Sequence, residues 1–336
     1  MTQLTPQAAH EIYDNTKLSA KKKCPRLYYY RHVRHWRLEG MAAPLVFGLS
    51  WHAAMDVVWQ HYGKVSVPEL VQVAMHSFNE TWTGEGAPLN ENMSMEMAEK
   101  WNPRLPSVAN EMLYPYIQKR TPILQSMQLV AAEAPFAVPL WPNQPNIWYA
   151  GRKDKRIIYN NMRLVIEHKS TTEYKKDGGF KSTYVEGFIM SSQVMGYSYS
   201  DNIETGGKTK QVWVDAALVH KQVHDAFRII PVEHLPDQMD QWLFDTRREV
   251  EEIKRDTAIL HDLRAAGKAE SPKFMPVFGR NQESCIGPYG KCAYFNVCTQ
   301  FPNPEQQYDP PPGMIEEEWN PFDILKLSQL DEQEAA

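Results

Sequence analysis

The stretch Gly151–Thr172, GRKDKRIIYNNMRLVIEHKSTT, constrains this chain most, because it specifies two strands, their register and the chemistry of one face. Asn160 and Asn161 lie between two apolar runs, and Asn tolerates the positive φ that a two-residue type I′ turn demands. With those two residues as the loop, Tyr159 pairs with Met162, Ile158 with Arg163, and further back Asp154 lies opposite Glu167. Directly opposed residues share a face of the sheet. Lys169, two residues beyond Glu167, projects from the same face, while Ile157, Tyr159, Met162, Leu164 and Ile166 line the other as a core. Facing carboxylates repel unless something positive sits between them, and a divalent metal would remove that cost. Phosphodiester hydrolysis uses such parts: a metal to activate water, carboxylates to hold it and a nearby cation. Carboxylate oxygens suit Mg²⁺ or Mn²⁺. The spacing alone is equally compatible with a salt-bridge cluster.

The rest of the chain reads as one α/β domain over residues 1–300. Phe47–Tyr62, Glu69–Glu80 and Met93–Tyr116 carry helical apolar stripes, giving a helical region at about 40–125. Leu129–Leu140, Trp148–Thr171, Gln211–His220 and Ala226–Val232 are rich in β-branched and aromatic residues, with a helix expected near Tyr184–Ser200, so an α/β core with a mixed sheet occupies about 126–235. A charged helix over Pro236–Ala266 then leads to a cysteine cluster ending near 300. Residues 301–336 are acidic and proline-rich, which predicts a flexible tail in which Ile324, Leu325, Leu327 and Leu330 could form a short partner-binding helix.

Of the 336 residues, 43% are hydrophobic, enough for a full core, and no apolar run approaches the roughly 20 residues of a membrane span. The polar start lacks a secretory pattern, so a cytoplasmic location is expected. The formal charge of -5 argues against a protein coated in positive charge. A local basic groove could still form from Lys21–Lys23, Arg152–Arg156 or Lys175–Lys181, each of which otherwise reads as a solvated face.

Taken together, these residues resemble the PD-(D/E)XK nuclease superfamily, in its RecB-like branch with CRISPR-associated and AddB-type relatives. Gly151–Asp154 is similar to that branch's GxxD motif, Glu167-His168-Lys169 to its ExK, Gly48–His52 to its GxxxH and Gln193–Tyr197 to its QxxxY. The resemblance covers most of residues 24–298 in the family's order. It implies a restriction-endonuclease-like core with a mixed central sheet flanked by helices, a catalytic set of Asp154, Glu167 and Lys169, and a Mg²⁺ or Mn²⁺ site completed by His52 and the backbone carbonyl of His168. Asp56, at i+4 from His52, could orient the imidazole or face solvent. Gln193 and Tyr197 share a helix face suited to a DNA strand. Glu133 corresponds either to a supporting acid of some relatives or to a solvated strand end, and Thr171, Thr172 and Lys175 either touch phosphates or form a loop face.

The four cysteines follow the same resemblance, with Cys24 near the start and Cys285, Cys292 and Cys298 close together near the other end. Relatives hold a 4Fe-4S cluster with that arrangement, which implies a metal clamp between the two ends. The C-x6-C-x5-C spacing departs from the closer first pair of CRISPR-associated relatives. Zinc is the alternative ion, although structural zinc sites favour closer pairs, and unpaired buried thiols are the third reading. The implied activity is a DNA exonuclease working on single strands or ends in repair, recombination or CRISPR-type processing. The rival is a catalytically silent DNA-binding or scaffolding module of the same fold, against which the intact Asp154, Glu167 and Lys169 argue.

Overall fold

The computed structural model describes residues 11–40, 42–89, 92–175, 179–287 and 290–318. In chain order the elements are β1 (Glu11–Tyr13), α1 (Asn15–Lys23), α2 (Pro25–Tyr28), β2 (Trp36–Leu38), α3 (Ala43–His61), α4 (Val67–Gly84), α5 (Met95–Trp101), α6 (Pro106–Leu124), β3 (Gln128–Trp141), β4 (Gln144–Tyr159) and β5 (Met162–Thr171). There follow α7 (Ser182–Glu186), α8 (Ser192–Thr205), β6 (Thr209–Leu218), β7 (Phe227–Val232), α9 (Pro236–Ala265), β8 (Ile286–Gly287), β9 (Gly290–Lys291), α10 (Phe295–Gln300) and β10 (Met314–Glu316). The described residues fall into two compact units: one from within Met1–Glu39, Ala137–Gly151 and Asp237–Ala336, the other from within Gly40–Phe136 and Arg152–Pro236.

In the second unit, α3 buries Val46, Phe47, Trp51, Ala54, Met55, Val58 and Trp59, the spacing of one helical face. That face packs with Leu70, Ala74, Phe78 and Trp82 of α4 and with Met112, Leu113 and Tyr116 of α6. The side-chain oxygen of Ser66 takes the Glu69 N–H to cap α4. The apolar stripe expected as one helix over Met93–Tyr116 is broken into α5 and α6. Pro103 and Pro106 lie at the break, and the residue before a proline is turned away from helical geometry. A second difference is α8, which starts at Ser192; the segment before it is a short helix and a 3₁₀ turn.

The hairpin follows the sequence expectation closely. Asn160 and Asn161 have φ of 49° and 61°, and the register runs from Tyr159↔Met162 to Lys155↔Ile166. Ile157, Leu164 and Ile166 join the helical core. Met162, expected there too, is exposed because it adjoins the turn. β5 pairs in parallel with β6, which pairs antiparallel with β7, so the sheet is mixed.

The first unit centres on aromatic rings: Tyr30 stacks with Trp36 and Tyr294 at 5.8 and 5.1 Å, and Tyr28 with Phe278 at 5.9 Å. Arg26 donates to the Phe278 carbonyl at 3.0 Å. Part of the stretch expected as a solvated tail is packed here. Asn303 is fully buried and donates to the carbonyls of Ala269 and Pro272, Glu305 pairs with Arg264 and Tyr29, and β10 adds to β2. Prolines deny this stretch a helix but not a packed path, since its backbone groups find side-chain and strand partners. The apolar Ile324, Leu325, Leu327 and Leu330 lie outside the described residues, as does the middle of Lys175–Lys181.

Because both turn residues are left-handed, Asn160→Val should destabilise the protein by about 1–2 kcal/mol, whereas Asn161→Gly should be neutral or stabilising. Urea unfolding of the two variants checks this.

Candidate active site

β4, β5, α3 and α8 of the second unit bring most of the expected residues together. Asp154 is buried at the end of the paired stretch of β4, one position beyond Lys155↔Ile166. Its Oδ2 accepts the His168 backbone N–H at 2.7 Å, so the carboxylate continues the connection to β5 beyond the Lys155↔Ile166 pair. The same oxygen lies 3.3 Å from His52 Nδ1, on the partly exposed side of α3. Glu167, 1% exposed, pairs through Oε1 with Lys169 Nζ and accepts from Gln193 Nε2 at 2.9 Å. Lys169 keeps 32% of its side chain exposed.

The charges here are strongly coupled. Burial alone would raise the Asp154 carboxyl, but the His52 imidazolium and its hydrogen bond, helped by Lys155, hold it well below the usual carboxylate range. Burial likewise opposes His52 protonation, and Asp154 outweighs it, raising His52 to about 9. Glu167 is pushed up by burial and then by the Asp154 charge, with Lys169 and His52 opposing. Burial, then Asp56 and Asp154, raise Glu133 to about 7. Lys169 is raised because Glu167 outweighs its desolvation.

Several expectations differ in detail. Asp56 does not orient His52; it forms an ion pair with the buried Lys155. The charges of Arg152–Arg156 are taken up in ion pairs, with Arg152 still exposed to solvent. Arg152 pairs with Glu133 at 2.6 Å, Lys153 with Glu204 at 2.6 Å and Asp201 at 3.3 Å, and Arg156 with Asp201 at 2.8 Å. Lys21 pairs with Glu252 at 2.9 Å in the first unit. Gln193 and Tyr197 turn inward. Gln193 Nε2 also donates to the Tyr197 hydroxyl at 2.8 Å, and the Tyr197 ring is buried edge-to-face against Phe136, so it offers no open face to a base. Thr171 takes the Glu173 N–H and Thr172 accepts from Arg104, the roles of a loop face.

The His168 side chain points into a buried network that the sequence did not suggest. Its Nδ1 lies 3.4 Å from Asp215 Oδ2, its partner in the β5–β6 register. Asp215 also takes Arg120 Nε at 3.0 Å and the Tyr116 hydroxyl at 2.6 Å, and that hydroxyl accepts from Trp59 Nε1. Asp215 is held below the carboxylate range because Arg120 outweighs its burial.

Two oxygens bear on whether these residues suit a cation. Glu167 Oε2 and Glu133 Oε1 are buried without a hydrogen-bond partner. Buried carboxylate oxygens are costly unless protonated or neutralised, so the donor set fits a divalent ion. Among the described residues, His52, Glu133 and Asp154 alone form a trio of potential ligand atoms lying within 4.8 Å of one another.

In the first unit Cys24, Cys285, Cys292 and Cys298 are unbridged and line one cavity of about 190 Å³ together with Arg26, Arg280 and Tyr294. The Asn281 N–H donates to Cys24 Sγ at 3.3 Å. Burial pushes the Cys292 and Cys298 thiols up, and Arg280 opposes this at Cys298. Four thiols with cationic neighbours suit a metal or a metal cluster of net negative charge.

The sequence profile of the PD-(D/E)XK nuclease superfamily matches residues 15–299. Among solved structures, the chain is similar to a protein from Eubacterium rectale provisionally described as an exonuclease, at 10% identity and a TM-score of 0.45, covering 96% of this chain and 98% of that one. It also matches the protein SSO0001 at 12% identity and a TM-score of 0.25, covering 60% and 85%. No curated protein matches the chain. No helix among the described residues is long and apolar enough to cross a membrane.

The raised His52 value fixes a pH dependence for the metal-free protein. The His52–Asp154 pair contributes stability that is complete below the unfolded imidazole value of about 6.5 and is lost as pH rises through about 9. Urea midpoints measured across that window should fall in the wild type and fall less in His52→Gln.

Proposed function

Since the chain belongs to the PD-(D/E)XK nuclease superfamily, we propose that His52, Asp154, Glu167 and the His168 carbonyl hold Mg²⁺ or Mn²⁺, and that Asp154, Glu167 and Lys169 form the catalytic set of a DNA nuclease. The observation that carries this reading is Glu167 itself: one oxygen is fixed by Lys169 and Gln193, and the other is buried without a partner. A bound divalent ion would supply Lewis-acid neutralisation of the phosphate and an activated water. Lys169, anchored by Glu167 yet partly exposed, keeps a cation where an anionic phosphate can approach. Gln193, steadied by Tyr197, fixes the Glu167 rotamer. Asp215 holds the His168 imidazole from behind, which steadies the backbone that carries the proposed carbonyl ligand.

The finer reading rests on the RecB-like motifs: an exonuclease acting on single-stranded DNA or DNA ends, in repair, recombination or CRISPR-type processing. Purified protein should degrade linear single-stranded DNA with Mg²⁺ or Mn²⁺, spare a closed circle of the same sequence and stop in excess chelator. Glu167→Gln and Lys169→Ala should lose about two or more orders of magnitude in rate while still folding. Full activity in Glu167→Gln would place the chemistry elsewhere.

For the first unit we propose that Cys24, Cys285, Cys292 and Cys298 carry a 4Fe-4S cluster that clamps the segments at the two ends of that unit. The cavity they share supports this, as does the Asn281 N–H directed at Cys24 Sγ, a contact typical of cluster thiolates. A zinc tetrahedron with Zn–S near ~2.3 Å draws its sulfurs to within about 4 Å of each other. Aerobically handled protein should be brown with about four irons per chain, and Cys24→Ser should be colourless and readily proteolysed. A colourless wild type with one zinc would select the alternative ion.

A further inference from the structure

We infer that the Tyr30 hydroxyl donates a hydrogen bond to the sulfur ligands of the cluster held by Cys24, Cys285, Cys292 and Cys298, and that it raises the reduction potential of that cluster. Resting on the iron-sulfur reading above, this role falls to a residue that no motif marks.

Tyr30 is fully buried and lines the same cavity as the four cysteines. Its ring is held on three sides: it stacks on Tyr294 at 5.1 Å and on Trp36 at 5.8 Å, and it meets Tyr29 edge-on at 5.5 Å. A buried phenol ordinarily spends its O–H on a partner, but the Tyr30 hydroxyl has none. Its neighbours do: Tyr29 donates to Glu305, and Tyr294 to the Trp36 carbonyl. The charged groups that act on the Tyr30 oxygen are Cys298, Arg26 and Arg280, and all three line the cavity. A guanidinium offers only donors, so Cys298 is the one acceptor among them.

The charge around the cavity calls for the same kind of occupant. Arg26 is buried and its side chain donates to the carbonyls of Phe278 and Pro302, with no acid paired to it among the described residues. A buried cation without a counter-ion is costly, and a group with four thiolate ligands is an anion that would supply one. Burial, and next the Cys298 sulfur, push the Tyr30 phenol above its ordinary value, so it keeps its proton for donation. Hydrogen bonds to the sulfurs favour the reduced, more negative state of a cluster and so raise its potential. Tyr30 would thereby make the cluster easier to reduce, a property separate from clamping the chain.

The test is a redox titration of the full chain purified without oxygen, followed by its visible absorbance. Tyr30→Phe should keep about four irons per chain. At a fixed mediator potential its ratio of reduced to oxidised cluster should be at least about fivefold lower than in the wild type, as for loss of one hydrogen bond to a charged acceptor. Tyr29→Phe removes a neighbouring hydroxyl already used on Glu305 and should shift that ratio by less than about twofold. Electron-nuclear double resonance of the reduced cluster, in ordinary against heavy water, should show an exchangeable proton that is missing from Tyr30→Phe. If Tyr30→Phe assembles no cluster, wild-type protein grown on 3-fluorotyrosine decides: its more acidic phenol should raise the potential, and an unchanged potential would overturn the role of Tyr30. An unchanged ratio and proton coupling in an iron-loaded Tyr30→Phe would likewise overturn that role alone. A colourless wild type, holding zinc or no metal, would overturn the cluster and the role of Tyr30 with it.

Discussion

Asp154 Oδ2 accepts the His168 N–H and faces the His52 imidazole, and the site is built outward from that one oxygen. The backbone contact holds β4 to β5 beyond the Lys155↔Ile166 pair, so Glu167, His168 and Lys169 are placed relative to Asp154 by main chain rather than by flexible side chains. The imidazole contact brings α3 to the same point. Without a metal, the imidazolium supplies the positive charge that a desolvated carboxylate requires. A metal held by the proposed His52 ligand would have to displace the imidazole proton, so metal binding and protonation would compete for the same ring nitrogen.

The same economy governs the buried charges around it. Lys153, Lys155, Arg156 and Arg120 each meet an acid on another element: α8 for Lys153 and Arg156, α3 for Lys155, β6 for Arg120. Buried pairs of this kind contribute little net stability against apolar packing, but a slipped register would leave two charges stranded at several kcal/mol each. They therefore act on specificity. Lys153 and Lys155 would share a face of a regular strand, and their partners lie on two different helices, α8 and α3.

How much of this could be read from the sequence depended on whether the signal was local. Asn160-Asn161 states its own φ, and the period of two along β5 puts Glu167 and Lys169 together, so the hairpin and the charged face it presents were legible. The partner of Asp56 was not, because helix spacing shows which residues share a face but not which cation crosses from a neighbouring strand. Glu133 was marked only by the family resemblance; its positive φ is not signalled locally in AAEAPFAVP and is imposed by tertiary surroundings. The inward turn of Gln193 and Tyr197 has a similar origin, since i, i+4 spacing is the same for a face turned to DNA and one turned to Glu167. Residues 302–316 show the limit of composition: proline and acid content predicts irregular structure, not solvation, and Asn303 and Glu305 are buried because specific partners satisfy them.

The placement of the cysteines has a consequence for how the protein is made. Cys24 precedes Cys285 by 261 positions, and the unit they share is assembled from three separated stretches of chain. At about 5–20 residues per second of synthesis, Cys24 waits roughly 13–50 s before the first of its three counterparts leaves the ribosome. Residues 40–236, which include every part of the other unit, are complete before then. The unit that carries the candidate active site is thus complete in the nascent chain before Cys285 is made, while the unit that holds the four cysteines waits for the last of its three stretches.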